Sequence, residues 1–167
     1  MIKLTILFIV VLLFVGCTVT KPITDMPESE VESFETVVSR LSTPLKIHLF
    51  LNTCSYLPDE SYADEWLSPQ EFYERGKGDC EDYALFALYC LEAHNIEGYI
   101  ISVWTDDQGH AVCVFLDGDS TGYIEANNFH YVADTTYTNI AHLVYDNWKV
   151  YSIYPSKEGI LRWVKNI

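Results

Sequence analysis

The chain has 167 residues, of which 49% are apolar and 14% aromatic, so it can bury the core of one domain and is not disordered throughout. Ten Lys and Arg residues stand against 24 Asp and Glu residues, which gives a net charge of −14. This balance leaves no basic face to follow a phosphate backbone, so no nucleic-acid partner is expected. It favours cationic, neutral or peptide-like partners instead.

The N-terminal segment differs from the rest of the sequence. Lys3 precedes an unbroken apolar run at positions 6–15, which is short for a membrane span and typical of a signal peptide. The next two residues complete Phe-Val-Gly-Cys, which resembles a bacterial lipobox, so Cys17 is the expected lipidation site and new N-terminus. We predict a lipoprotein signal peptide over residues 1–16, a tether over 17–28 and a folded domain over 29–167. The protein would be exported and lipid-anchored on the extracytoplasmic face of the cell membrane; plain secretion and an uncleaved anchor are the alternatives.

Four helices are predicted in the first part of the domain. A capping box at Ser29 begins the first, and residues 44–52 form the second. Ser68 caps the third helix, which Gly76 ends. Residues 80–93 form the longest predicted helix.

β-branched and aromatic runs divided by turn sequences predict antiparallel strands in the second part. The predicted elements are strands at residues 99–104, 110–116 and 123–127, a helix at 139–146, a strand at 149–154 and a terminal helix from residue 156. Helices followed by hairpins indicate an α+β domain built in layers.

The cysteines give the first chemical information. Apart from Cys17, the chain has Cys54, Cys80, Cys90 and Cys113, an even number for an exported protein, so two disulfides in any of three pairings are the default expectation. Cys90 and Cys113 are also compatible with small buried apolar residues, since their neighbours are apolar. No Cys-x-x-Cys or paired His spacing occurs, so no metal site is predicted.

Cys80 is distinguished by its place in the first turn of a helix, where unpaired N–H groups and the helix dipole favour a thiolate. Three adjacent carboxylates oppose this, so a nucleophilic thiolate would need a nearby imidazolium. His110, at the start of a predicted strand, is the candidate base. The following strand carries Glu125 and Asn127 on one face, and either side chain could orient the second ring nitrogen.

Three stretches of the sequence resemble one protein family. They are Glu-Trp-Leu-Ser-Pro-Gln-Glu-Phe at 65–72, Gly-Lys-Gly-Asp-Cys-Glu-Asp-Tyr-Ala at 76–84 and Gly-His-Ala-Val at 109–112. They are similar to the bacterial transglutaminase-like cysteine peptidases and, more broadly, to the transglutaminase-like superfamily, over about residues 60–128.

The resemblance implies a papain-like core, with the catalytic helix packed on an antiparallel sheet. In it, Cys80 attacks a carbonyl, His110 acts as base and then as acid, and a carboxylate orients His110. Glu125 occupies the place of the family's Asp, and Asn127 is the alternative third residue.

These observations lead us to expect a membrane-anchored thiol hydrolase or acyltransferase that acts on amide bonds of proteins or peptides through a thioester on Cys80. The backbone N–H of Cys80 would hold the oxyanion. Water as acceptor gives proteolysis and an amine gives cross-linking. No nucleotide or flavin motif occurs, so no cofactor is expected. The competing hypothesis is a catalytically inactive lipoprotein that keeps this fold as a cell-surface binding module.

Other residues near these motifs have structural interpretations. Trp66 is expected to pack against the Cys80 helix, and Asp82 to bond to backbone groups or to a basic neighbour. The remaining histidines have no partner that can be identified in the sequence: His48, His94, His130 and His142.

Overall fold

A computed structural model describes residues 32–58, 66–155 and 162–165 of the chain. The predicted signal peptide, the lipidation site at Cys17, the tether and the capping residue Ser29 lie outside the described residues. The described elements belong to one structural unit that begins at Glu32. Within these ranges no helix is both long enough and apolar enough to cross a bilayer.

The described part of the chain contains five helices and eight strands, of which the first two strands form a short parallel pair. The helices are α1 (Phe34–Arg40), α2 (Pro44–Leu51), α3 (Pro69–Arg75), α4 (Cys80–Ala93) and α5 (Tyr137–Val144). The strands are β1 (Ser55–Tyr56), β2 (Lys77–Gly78), β3 (Glu97–Trp104), β4 (Gly109–Asp117), β5 (Ser120–Glu125), β6 (Asn128–Tyr131), β7 (Val150–Pro155) and β8 (Arg162–Lys165).

Local capping interactions determine where the helices begin and end. Ser68 and Glu71 form a capping box at the start of α3, and Gly76 ends that helix with a φ of 61°, which glycine adopts without strain. The first helix is capped by Ser33, whose hydroxyl accepts from the Thr36 N–H, four residues later than the predicted start. Three predicted helices are confirmed: the helix at 44–52, the helix that Ser68 caps and Gly76 ends, and the helix at 80–93.

Six antiparallel strands form the main sheet, in the order β6-β5-β4-β3-β7-β8. Helix α4 packs on one face of β3, β4 and β5, and the first three helices cover α4 from the outside. Helix α5 packs on the other face of β3. Since both faces are covered, residues 98–103 are buried without interruption, which is the pattern of a central strand.

The side chains of β4 alternate between two apolar cores. Ala111, Cys113 and Phe115 belong to the core around α4, whereas Val112 and Val114 belong to the core around α5. The two cores follow from the period of two along a strand. The same period places His110 on the face of Val112 and Val114, at the end of the strand nearest the start of α4.

One predicted element is wrong, and another ends two residues earlier than expected. The terminal helix expected from residue 156 is not formed over Arg162–Lys165, which pairs with β7 as an antiparallel strand. Trp163 and Val164 are residues favoured in strands, and the open edge of β7 supplies the hydrogen-bonding partners. The strand expected over 123–127 ends at Glu125, and a turn leads directly into β6, which was not predicted.

Candidate active site

The start of α4 is held by a buried carboxylate three residues along the helix. Asp82, which is 3% exposed, accepts hydrogen bonds from the Leu67 N–H at 2.7 Å and from the Asp79 N–H at 3.2 Å. The expectation that Asp82 bonds to backbone is therefore confirmed. Gly78 leaves the space for this carboxylate, because a Cβ at that position would lie 2.4 Å from Asp82 Oδ2. These contacts join the segment before α3 to the turn that presents Cys80.

Cys80 carries a thiol that is protonated at rest. Its Sγ donates to Glu81 Oε2 at 3.1 Å. Burial, followed by the hydrogen bond and the charge of Glu81, raises the pKa of Cys80 to about 12, and an N–H of Ala111 opposes this shift. The sulfur thus lies beside the backbone of the residue that follows His110. Burial is thus the largest cause of the raised pKa, and the neighbouring carboxylates act against a thiolate in the direction expected from the sequence.

His110 and Glu125 meet across neighbouring strands. His110 pairs with Val103 at the start of β4, and its Nε2 lies 3.0 Å from Glu125 Oε1 at the end of β5. Contact with His110 is the largest cause that keeps the pKa of the Glu125 carboxyl below its usual value. Partial burial opposes this lowering, and the charges of His110 and His130 add to it. Glu125 is therefore an ionised group next to the ring of His110 at neutral pH.

Asn127 does not share a strand face with Glu125. It is exposed in the two-residue turn between β5 and β6, where Ala126 adopts a φ of 44°. The turn breaks the period of two on which the sequence argument depended. The geometry therefore favours Glu125 over Asn127 as the partner of His110.

His130, for which the sequence indicated no partner, contacts the second oxygen of Glu125. Its Nε2 lies 3.3 Å from Glu125 Oε2. The N–H directions of His110 and His130 lie off the line to the carboxylate, so both are close polar contacts rather than linear hydrogen bonds. No sequence signal predicted β6, and so none could have identified this contact.

A cleft of about 320 Å³ opens over the start of α4 and the start of β4. Its lining residues are Tyr56, Trp66, Asp79, Cys80, Glu81, Ser102, Trp104, Gly109, His110 and Ala111. Trp66 is 37% exposed here, with its ring centroid 6.1 Å from that of Tyr154, so it forms a wall of the cleft. Sequence reasoning missed the cleft roles of Trp66, Trp104 and Tyr56, because their distance from Cys80 along the chain hides their proximity.

The four described cysteines are free thiols, so the default expectation of two disulfides is wrong. Cys54, Cys90 and Cys113 are buried in the core around α4. All three behave as small apolar residues, which is the alternative to disulfides expected from the sequence for Cys90 and Cys113. Among residues 32–58 and 66–155, no three His, Cys, Asp or Glu side chains converge into a group that could hold a metal ion.

The chain belongs to the family described as the transglutaminase-like domain, whose model matches residues 20–154. This confirms the resemblance found in the sequence. Among curated proteins no significant match was found.

Solved structures share the fold at low sequence identity. Calcium-bound LapG of Legionella pneumophila is 21% identical, with a TM-score of 0.50 over 68% of this chain and 67% of that one. EGTA-treated LapG is 19% identical, with a TM-score of 0.51 over 75% and 76% of the two chains. A proposed cysteine protease from Cytophaga hutchinsonii is 15% identical over 74% of this chain and 42% of its own, with a TM-score of 0.43. The predicted α+β, papain-like class is confirmed.

Proposed function

We propose that the protein is a cysteine peptidase or related acyltransferase that cleaves amide bonds in proteins or peptides, with Cys80 as nucleophile, His110 as base and acid, and Glu125 as the group that orients His110. The observation that carries the proposal is the cleft itself. It combines a thiol at a helix start with an imidazole whose Nε2 lies 3.0 Å from an ionised carboxylate. Such a set of nucleophile, base and orienting group is what acyl transfer requires.

The reaction begins with a change of partner by the thiol. At rest the thiol donates to Glu81, so attack requires the Cys80 side chain to turn toward His110, which accepts the proton. The sulfur then forms a bond to the carbonyl carbon and the carbonyl electrons move to oxygen. The amine leaves with the proton from His110, and a thioester on Cys80 remains.

The second half of the reaction releases the acyl group. His110 removes a proton from water, the hydroxide oxygen bonds to the thioester carbon, and the sulfur departs and regains a proton. An amine in place of water would give a new amide bond. In both halves the backbone N–H of Cys80, at the start of α4, would donate a hydrogen bond to the oxyanion.

The walls of the cleft favour a peptide as the substrate. Trp66 and Trp104 offer flat apolar surfaces on which a side chain or an extended backbone can lie, and Ser102 adds a hydroxyl. Asp79 and Glu81 make the region near the sulfur acidic. A basic or neutral residue next to the scissile bond fits this charge better than an acidic residue does.

The test compares variants of the three proposed residues. Cys80→Ala and His110→Ala should abolish hydrolysis of a general protein substrate such as casein, whereas Glu125→Gln should keep a small residual rate, because both reacting groups remain. Asn127→Ala should leave the rate unchanged and serves as the control. Alkylation of Cys80 by iodoacetamide gives a readout that needs no known substrate, and His110→Ala should slow it. Equal alkylation rates in the wild type and His110→Ala would overturn the assignment of His110.

One observation favours the second candidate function, a non-catalytic binding module of the same fold. The thiol of Cys80 bonds to Glu81, and its pKa is raised rather than lowered. A binding module would retain partner binding in Cys80→Ala, whereas the enzyme would lose turnover. Hydrolysis of casein by the wild type but not by Cys80→Ala would exclude this candidate.

The location proposed for this activity is the extracytoplasmic face of a membrane, with Cys17 carrying the lipid. Support comes from the sequence alone, in which the apolar run at 6–15 and the residues that follow it form the signal-peptide and lipobox pattern. Cys17→Ser should move the protein out of the detergent phase or block its processing. An unchanged membrane fraction in that variant would contradict the anchor.

A further inference from the structure

Two histidines flank one carboxylate in this structure, and only one of them belongs to the proposed triad. His110 contacts Oε1 of Glu125, and His130 contacts Oε2. Although 40% of the His130 side chain is exposed, its Nε2 is fully enclosed. The polar tip of the ring therefore lies inside the protein, 3.3 Å from the carboxylate.

The β5–β6 hairpin determines the position of His130. His130 pairs with Tyr123 and Glu125 pairs with Asn128, so His130 and Glu125 are diagonal neighbours on one face of the sheet. The His130 ring also stacks on Tyr123, with a centroid distance of 4.4 Å and an interplanar angle of 18°. Stacking fixes the plane of the ring and hence the direction in which Nε2 points.

A glutamate needs this second contact more than a shorter side chain would. Glu has one more rotatable bond than Asp, so its carboxylate has more rotational freedom to lose when it is held in one orientation. With His110 as its only partner, the Glu125 carboxylate could turn about its last bond. A contact on the second oxygen removes that motion.

We propose that His130 is a positioning residue, which holds Oε2 of Glu125 and thereby keeps Oε1 on Nε2 of His110. This inference rests on the proposed function, because it gives His130 a part in orienting the base of that site. His130 would act through Glu125 and would touch neither the substrate nor the reacting atoms.

The other titratable groups near this pair come from three elements. Tyr123 on β5 stacks on His130, and the pKa of Tyr123 is raised by burial and then by the charge of Glu125. His48 on α2 packs on Phe129, the residue before His130, with a centroid distance of 5.3 Å, and burial followed by the charge of His130 lowers the pKa of His48. Tyr145, which follows α5, has a pKa raised by burial and by the charges of Cys80 and Glu125. Glu125 is thus the carboxylate that His130 contacts, and the imidazole of His48 and the phenols of Tyr123 and Tyr145 are the other titratable groups nearby.

The experiment uses the full chain as wild type, His130→Ala, His130→Gln and the control His142→Gln, which changes an exposed histidine on α5. Glutamine offers an N–H donor at about the reach of Nε2 but carries no charge. Two readouts are measured: the pKa of the Glu125 carboxyl by ¹³C NMR, and the rate of Cys80 alkylation by iodoacetamide near neutral pH. His130→Ala should raise the pKa of Glu125 and slow alkylation about tenfold. His130→Gln should restore most of the alkylation rate, and His142→Gln should change neither readout.

Two results would overturn the inference. One is a Glu125 pKa in His130→Ala equal to that of the wild type, which would mean that His130 only packs on Tyr123. The other is a folded His130→Gln variant no faster in alkylation than His130→Ala. The proposed function fails by a different result, an alkylation rate that does not depend on His110. In that case the titration of Glu125 still decides whether His130 holds the carboxylate.

Discussion

Removal of the Glu81 charge should activate the thiol of Cys80. Glu81 Oε2 lies 3.1 Å from Sγ and favours the protonated thiol both by accepting its hydrogen and by repelling the thiolate. At this distance the repulsion between two unit charges is about 1 kcal/mol at the dielectric constant of water and about 5 kcal/mol at an effective value of 20. Since one pKa unit corresponds to about 1.4 kcal/mol, Glu81→Gln should lower the pKa of Cys80 by at least about one unit.

The expected gain in alkylation rate is smaller than the gain in thiolate. Each unit by which the pKa falls raises the thiolate fraction about tenfold at a pH below the pKa, but a less basic thiolate is about threefold less nucleophilic. A shift of one unit should therefore speed alkylation about threefold, and a shift of two units about tenfold. Glutamine keeps nearly the same shape and can donate an N–H to the thiolate, which adds to the effect.

The assay is the rate of iodoacetamide alkylation as a function of pH, read by mass spectrometry of the peptide that carries Cys80. Mapping of that peptide separates Cys80 from Cys54, Cys90 and Cys113, which are buried. Glu92→Gln is the matched control, because it removes the same charge from the exposed far end of α4. An unchanged or higher apparent pKa in Glu81→Gln would refute the reasoning that Glu81 holds the thiol in its protonated form.

Two further predictions concern stability. Gly122→Ala should lower the free energy of unfolding by about 1–3 kcal/mol, because its Cβ would lie 2.0 Å from the carbonyl oxygen of His130 and force β5 and β6 apart. Urea denaturation measures this change, with Ser120→Ala as the control variant. Equal denaturation midpoints for the two variants would contradict the prediction. The folded-state pKa of Glu125 lies below its unfolded value of 4.5, so its contribution is present above about pH 4.5 and is lost as the pH falls through the folded pKa. The difference in unfolding free energy between wild type and Glu125→Gln should therefore shrink on acidification, and parallel pH profiles would count against the His110 contact.

Local hydrogen bonds explain why most helices could be predicted from the sequence. The capping box of α3 joins Ser68 to Glu71, and the left-handed residue that ends this helix is Gly76. Each of these features lies within a few residues of the helix end that it determines, so the residue types alone carry the information. The same holds for α4, whose start and end agree with the predicted 80–93.

Cys80 and His110 lie in the family motif and could be identified as candidates from the sequence, but their chemical environment depends on the tertiary structure. The acidic neighbours of Cys80 were evident in the sequence, whereas the direction of Glu81, which accepts the thiol proton, was not. A side chain next to the nucleophile in sequence can point toward it or away from it. Packing of α4 on β3 and β4 decides between these directions.

The partners of Glu125 were decided by strand pairing alone. The sequence by itself determined that a strand runs through residues 123–125 and that a carboxylate stands on it. Whether that carboxylate meets Asn127, His110 or His130 depends on a turn at Ala126 without a glycine signal and on the register of β4, β5 and β6. The strand character of Arg162–Lys165 likewise depends on the free edge of β7. Hydrogen bonds between strands join residues far apart in sequence, so neither composition nor periodicity determines which strand pairs with which.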